Sequence, residues 1–330
     1  MCGYIGFINF DKQNTEQSNI QNLNKMLNEI KFRGPDGSGV WNYKNLVFMG
    51  HNRLSIMDLS KKASQPMISQ NARYVIAYNG EIYNHLKLRQ NIKDHKKFFW
   101  NSTSDTETII EHICLFGIEK SLESFEGMFS FALYDKIENK LFLARDKMGE
   151  KPLYYGFNSN IFYFGSDLKS FYASDSFNID INYASLSSFL KYGFISDPDS
   201  IVKNIYKLNK SSYLELDLNF KKTKLRKYKV KNLKNYDLKN FQSEKDWLKE
   251  LEILLFSSVN SQLISDVDVG TFLSGGIDST LISTIANTIS DTKINTFSIG
   301  FENPEYDESK QAKKISDIIK SNHNEYILRN

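Results

Sequence analysis

At 330 residues the chain exceeds a typical single domain, so two domains are expected, each large enough to bury a core. Its 42 Lys and Arg against 39 Asp and Glu leave a net charge of +3, which gives no electrostatic case for a nucleic-acid or membrane partner. Only two cysteines occur, Cys2 and Cys114, which excludes a disulfide framework and fits a reducing compartment.

The chain opens MCGYIGFINF, an apolar stretch without a basic flank, broken by Asn9, Asp11 and Lys12. That is not a signal peptide, and no apolar run approaches the roughly 18 residues of a membrane span, so a cytoplasmic protein is expected. Strands are predicted in YIGFI, LVFMGHNRLSIMD, RYVIAYNGEIY, MFSFALYD, LFLARD and IFYFGSD, all rich in β-branched or aromatic residues. Among them TETIIEHICLFG reads as a helix with Ile109, Ile110, Ile113 and Cys114 on its apolar face and a Ser104/Glu107 capping box at its start. Clustered strands with a few helices suggest two stacked antiparallel sheets with helices outside. Between about 221 and 246 the chain turns Lys- and Asn-rich, as a solvated linker would. Helical spacing follows in WLKELEILLFSSVNSQL, then strand VDVGTFL, helix IDSTLISTIANTI, strand INTFSIGF, helix SKQAKKISDIIKS and strand EYIL. Alternating β and α with short connections predicts a parallel, doubly wound sheet, which reads as truncated because such sheets normally carry more strands.

Two stretches carry chemistry. If Met1 is removed, Cys2 gains a free α-amine, a group that titrates near ~7.7–8.0 and can serve as base to the thiol of the same residue. By itself a Cys at this position is more often a small filler. SGGIDST at 274–280 falls between a buried strand and a helix, where Gly275 and Gly276 permit a tight turn and the helix start offers N–H groups to an anion. Ser274, Ser279 and Thr280 add hydroxyl donors, and Asp278 can hold a Mg²⁺ that bridges phosphate oxygens. The alternative is an ordinary βα turn. No histidine shows metal-ligand spacing, and Cys114 reads as core.

RGPDGSG at 33–39, HNRLSI at 51–56, NGEIYNH at 79–85 and SDTE at 104–107, together with Cys2, resemble the class II (N-terminal nucleophile) glutamine amidotransferases. SGGIDS resembles the phosphate loop of the ATP pyrophosphatases, and RDKMGEKPLYYG at 145–156 and GFISDPDSIVKNIYKL at 193–208 extend the likeness. Over nearly its whole length the chain resembles the glutamine-hydrolysing asparagine synthetases, with Phe32 where the family commonly has His and KLNKSSYL where relatives carry a Pro-Pro-Gly turn. The resemblance implies an α+β αββα sandwich of the N-terminal nucleophile type over residues 1–217, a linker at 218–243, and at 244–330 the first part of an α/β doubly wound ATP-pyrophosphatase domain.

It also implies residue roles. Cys2 is the nucleophile on the glutamine amide, and Asn79 with the Gly80 N–H forms the oxyanion hole. Arg53 grips the substrate α-carboxylate, Glu81 and Asp105 hold its α-ammonium, and Arg33 lines the pocket. Leu273, Ser274, Gly275, Gly276, Asp278, Ser279 and Ile299 contact ATP or its pyrophosphate, with Asp278 on Mg²⁺. Taken singly, Arg53 reads as an exposed strand residue, Asn79-Gly80 as a hairpin turn and Asp105 as a helix-dipole partner. The implied reaction is an ATP-dependent ligation in which ammonia from glutamine amidates the aspartate β-carboxylate, giving asparagine, AMP, pyrophosphate and glutamate. The family alone points to a homodimer. Two readings stand beside it: an amidotransferase of the same build acting on another carboxylate, such as one on a surface-polysaccharide sugar, and a glutaminase-only or non-catalytic fragment.

Overall fold

In GYIGFIN alternate side chains enter different cores: Tyr4 and Ile8 join one cluster, Ile5 and Phe7 another. A strand apolar on both faces needs a layer on each side, and that requirement organises the first half of the chain. The computed structural model describes residues 1–11, 14–95, 97–230, 243–303, 305 and 307–329. It divides into two units, Met1–Asn232 and Leu233–Asn330.

The first unit runs β1 (Gly3–Asn9), α1 (Glu16–Glu29), β2 (Gly37–Tyr43), β3 (Val47–Arg53), β4 (Met67–Ile68), β5 (Tyr74–Ile82), α2 (His85–His95), α3 (Asp105–Phe116) and α4 (Ile118–Ser124). It continues with β6 (Gly127–Asp135), β7 (Lys140–Arg145), β8 (Tyr154–Asn158), β9 (Ile161–Gly165), α5 (Leu168–Tyr172), α6 (Tyr183–Tyr192), β10 (Ile205–Lys207), β11 (Ser212–Asp217) and β12 (Lys222–Lys227). Two six-stranded antiparallel sheets result, ordered β10-β8-β9-β1-β3-β2 and β12-β11-β7-β6-β5-β4. Tyr4, Ile8, Val47 and Met49 of the first sheet meet Val75, Ala77, Ala132, Leu141 and Leu143 of the second in a core between them. The outer face of the first sheet packs Ile5 and Phe7 on Leu23, Met26 and Leu27 of α1 and Phe171 of α5. That of the second packs Ile76 and Tyr78 on Ile109, Ile110 and Ile113 of α3. Helices therefore cover both outer faces, the expected αββα sandwich.

The stretch expected as a linker from residue 218 belongs in part to this sandwich. Leu218 and Tyr228 are buried, and β12 pairs with β11 along its whole length. The strand was disguised by its composition: KTKLRK is an exposed edge, where lysines discourage pairing with another chain. Residues 231–242, the rest of that linker, lie outside the described residues. The capping box also differs. Ser104 Oγ accepts from Thr106 N at 3.2 Å, whereas Glu107 reaches past the cap to Asn101 N and Ser102 N, at 3.0 and 2.8 Å.

The second unit carries α7 (Glu244–Gln262), β13 (Gly270–Phe272), α8 (Ile277–Ile289), β14 (Asn295–Phe301), α9 (Ser309–Ile319) and β15 (Asn322–Leu328). Its three strands are parallel in the order β13-β14-β15, and Val259 of α7 packs on Ile285 and Ala286 of α8. Among the described residues no helix is long and apolar enough to cross a membrane.

Candidate active site

The alternation that fills the inter-sheet core also builds a cleft at one end of it. Beyond Tyr4 the inward file of β1 reaches Cys2; beyond Met49 that of β3 passes His51 to Arg53; beyond Ala77 that of β5 passes to Asn79 and Glu81. Polar side chains thus succeed apolar ones on the same face where the sandwich opens. Cys2, Arg53, Asn79, Gly80 and Glu81 line one cleft, and Asp105 joins them from the first turn of α3. His51 Nε2 donates to Tyr78 O at 2.9 Å and ties the two sheets beside Asn79; burial lowers its pKa to about 4, so it is neutral.

The Cys2 thiol donates to Leu54 O at 3.4 Å and accepts from Leu54 N at 3.3 Å. Burial raises its pKa, so the thiol keeps its proton near neutrality and needs a base. The Met1 α-amine is shifted the other way, lowered first by burial and then by the charges of Arg33 and Lys151. Arg33 Nε donates to Cys2 O at 3.2 Å. Lys151 is buried, with Nζ 3.1 Å from Met1 Sδ.

Asn79 and Gly80 lie within β5, paired with Ser130 and Phe129 of β6, which removes the hairpin-turn reading. Glycine is required there because a Cβ on Gly80 would collide with Met128 O. On the far side of β5 the partner strand β4 is only two residues long and pairs at Val75 and Ile76. The edge beyond is open, and side chains use it: Tyr78 N donates to Gln65 Oε1 at 2.7 Å and Ile82 N to Asp105 Oδ2 at 2.9 Å. By strand alternation Gly80 N–H lies between these two on the same edge. The Asn79 side-chain amide nitrogen is buried in the cleft wall without a hydrogen-bond partner among the described residues.

Asp105 Oδ2 also accepts from Tyr78 Oη at 2.7 Å, yet burial outweighs these bonds and raises its pKa. Glu81 is lifted to about 7, by burial first and by the Asp105 charge second, against the opposing pull of Lys151. Arg53 turns part of its fork onto the following loop, donating through Nη1 to Ser60 O at 2.8 Å and through Nη2 to Met57 O at 3.1 Å and to Asp58 O. Three of its five N–H groups are so used.

In the second unit residues 273–276 join β13 to α8, and 277–280 form the first turn of that helix. Gly275 has φ +87°, in the left-handed region, and a Cβ there would lie 2.7 Å from Gln311 Cγ. Ser274 Oγ and Ser279 Oγ are 2.9 Å apart, and Gly276, at the cap position, leaves the first turn of α8 without a side-chain cap. Asp278 is exposed on that turn, Leu273 is buried with its N–H given to Phe297 O at 2.8 Å, and Ile299 is exposed on β14.

Residues 1–229 match the family model described as glutamine amidotransferase domain. The chain belongs to that family. In this amidotransferase, residues 250–330 match a second model, asparagine synthase. Among curated proteins it is 36% identical to a Methanocaldococcus jannaschii protein provisionally named asparagine synthetase [glutamine-hydrolyzing] 2, over 100% of this chain and 65% of that one. It is 33% identical to asparagine synthetase [glutamine-hydrolyzing] 1 of Bacillus subtilis, over 96% of this chain and 48% of that one. The chain thus spans 65% of the one relative and just under half of the other. The glutamine phosphoribosylpyrophosphate amidotransferase structure from B. subtilis aligns with TM-score 0.52 at 14% identity, covering 99% of this chain and 91% of that one, which bears on the fold alone.

Sequence reading of the amidotransferase missed Lys151, Tyr78 and Gln65 as cleft residues. Lys151 stood inside a quoted motif, but its reach depends on the 146–151 turn. Asp146 Oδ1 accepts from the N–H groups of Met148, Gly149 and Glu150, and Oδ2 from Lys151 and Phe129, so one carboxylate folds that turn against β6.

Proposed function

We propose that this chain hydrolyses glutamine at Cys2 and, in the protein as a whole, supplies the ammonia to an ATP-activated aspartate β-carboxylate, making asparagine. With Met1 removed, the α-amine belongs to Cys2. Burial that lowers an amine and raises a thiol favours the unprotonated amine as base. Cys2 Sγ attacks the side-chain amide carbon, and its proton passes through the amine to the departing nitrogen, which leaves as ammonia. Water then cleaves the thioester to glutamate. Asn79 Nδ2 and Gly80 N–H stabilise the charge on the amide oxygen in both steps. Arg53, through its remaining N–H groups, takes the α-carboxylate, and Glu81 with Asp105 takes the α-ammonium, so a free amino acid is selected over a peptide.

For the second unit we infer ATP binding at the 274–279 loop, with phosphates on the uncapped first turn of α8 and adenine against the backbone at Leu273 and Ile299. Among the described residues no group of three or more ligand side chains gathers there. One exposed carboxylate beside a phosphate site suits Mg²⁺, which takes one or two carboxylates and shares phosphate oxygens. Asp278 would hold it, and the ion would neutralise phosphate charge.

The observation that carries the reading is the buried Asn79 amide nitrogen, without a hydrogen-bond partner among the described residues, on the cleft that also holds Cys2. The test is glutamate release by the purified protein with Met1 removed. Wild type is expected to release it and Cys2→Ala to release none. No release from wild type, with Cys2→Ala still binding glutamine, overturns the reading.

A further inference from the structure

The two groups assigned to the amino-acid head of glutamine come from distant segments: Arg53 ends β3, and Asp105 begins α3. One side chain joins the segments that hold them. Asp58 accepts at Arg53 Nη2 through its own carbonyl oxygen. Its carboxylate accepts at Oδ1 from Ser60 N at 3.0 Å and Ser60 Oγ at 2.6 Å, closing the 57–60 loop against which Arg53 is pinned. Its other oxygen, Oδ2, accepts from Thr103 N at 2.8 Å, two residues before Asp105.

The segment that receives this bond is itself fixed on its other sides. Arg89 donates to Ser102 O at 2.9 Å, Ser104 O at 2.7 Å and Thr108 Oγ1 at 2.7 Å, and stacks over Trp100 at 4.1 Å. Glu107 accepts from Asn101 N and Ser102 N and Oγ. With 101–104 anchored to α2 and α3, the Asp58 carboxylate transmits the position of that anchor to the 57–60 loop. Asp58 is buried, so its bonds compete little with water, and burial, which would raise its pKa, is outweighed by the Ser60 and Thr103 donors, which lower it.

We propose that Asp58 is a positioning residue that sets the spacing between Arg53 and Asp105, and so matches the site to a ligand carrying α-carboxylate and α-ammonium together. This rests on the roles proposed above for those two residues. An amide in its place has one acceptor oxygen, so Asp58→Asn loses either the Thr103 end or the Ser60 N–H end, whichever way it turns.

The test compares glutamine with glutaramate, the same chain without the α-amine, as a competitive inhibitor. Glutaramate has no ammonium for Asp105 and so does not sense the spacing between Arg53 and Asp105; glutamine, which engages both, does. Asp58→Asn is expected to raise KM for glutamine about tenfold with kcat within about twofold, while the glutaramate inhibition constant changes less than about twofold. Ser60→Ala, which removes only the hydroxyl donor, gives the same pattern at smaller size and serves if Asp58→Asn does not fold. Equal weakening of both ligands, or an unchanged KM, overturns the inference and leaves the underlying site intact. If instead Arg53→Lys and Asp105→Asn leave KM for glutamine unchanged, the role assignment itself falls.

Discussion

Cys2, just ahead of β1, and Asn79 of β5 face each other across the two sheets, each the next inward-facing residue beyond the inter-sheet core, past Tyr4 on one side and past Ala77 on the other. The same period of two that buries Ile8 and Val75 thus delivers a thiol and an amide to one cleft. In Asn79 the delivered group is a buried donor with no partner among the described residues, which costs stability unless something else uses it.

That cost separates catalysis from packing. Asn79→Ala is expected to lower kcat for glutamine hydrolysis about 10²- to 10³-fold, the usual loss of an oxyanion donor, with KM nearly unchanged. Melting temperature should stay level or rise, because a buried donor without a partner is removed. A variant that melts lower and keeps its kcat would assign Asn79 to the core instead.

Glu81 gives the site a pH dependence of known sign. Its carboxyl titrates at about 7 against an ordinary 4.5, so it loses its charge, and its attraction for an α-ammonium, as pH falls through 7. Glutamine affinity of Cys2→Ala, measured by calorimetry, should weaken below about pH 7. Lys151→Met removes the charge that opposes this shift, and the weakening should begin at higher pH. In the unliganded protein the raised pKa contributes stability below pH 4.5 that is lost as pH rises through 7, and Glu81→Gln should flatten that decline. A binding constant level from pH 6 to 8 in both backgrounds would remove Glu81 from the head site.

How much of this was legible in the sequence follows from what each signal encodes. Strand alternation and β-branched composition marked β1, β3, β5, β6, β7 and β9, and motif resemblance assembled Cys2, Arg53, Asn79, Gly80, Glu81 and Asp105 into one set, which all line one cleft. Local chemistry misled where tertiary contacts decide. Asn79-Gly80 carries a turn signature, but Gly80 serves a close approach to Met128 inside a strand. Glu107 has capping-box spacing, but the Asn101 and Ser102 N–H groups claim it. The lysines of β12 look like linker until β11 is known to lie beside them. Lys151 and the Asp58 bridge depend on loops whose shape comes from side-chain bonds across 5 and 45 residues, and no periodicity encodes those.

Tyr78 supports the ammonium side of the cleft from below. Its hydroxyl is one of the donors that keep the buried Asp105 carboxylate solvated. Tyr78→Phe should destabilise the fold by about 1–3 kcal/mol, the cost of removing a donor from a charged acceptor. It should also raise the Asp105 pKa further and so weaken glutamine binding, by no less at pH 7 than at pH 8.5. Unaltered binding at both pH values would show that the remaining donors, Ile82 N–H among them, suffice for Asp105.

The two chemistries should separate by mutation and by chelation. Asp278 lies in the second unit, on the first turn of α8, while every residue proposed for amide hydrolysis lies in the first. Asp278→Ala is expected to leave kcat and KM for glutamate release within about twofold of wild type, and EDTA should not change them, since the thioester route uses an amine, a thiol and N–H donors. ATP binding in the presence of Mg²⁺, followed by fluorescence of a labelled nucleotide, should fall at least about tenfold in Asp278→Ala and weaken in EDTA. Gly275→Ala should reduce ATP binding through another cause: φ +87° disfavours a side chain, and its Cβ would push against Gln311. If Asp278→Ala binds nucleotide as wild type does while Gly275→Ala does not, the loop backbone holds the phosphates and Asp278 is not the metal ligand.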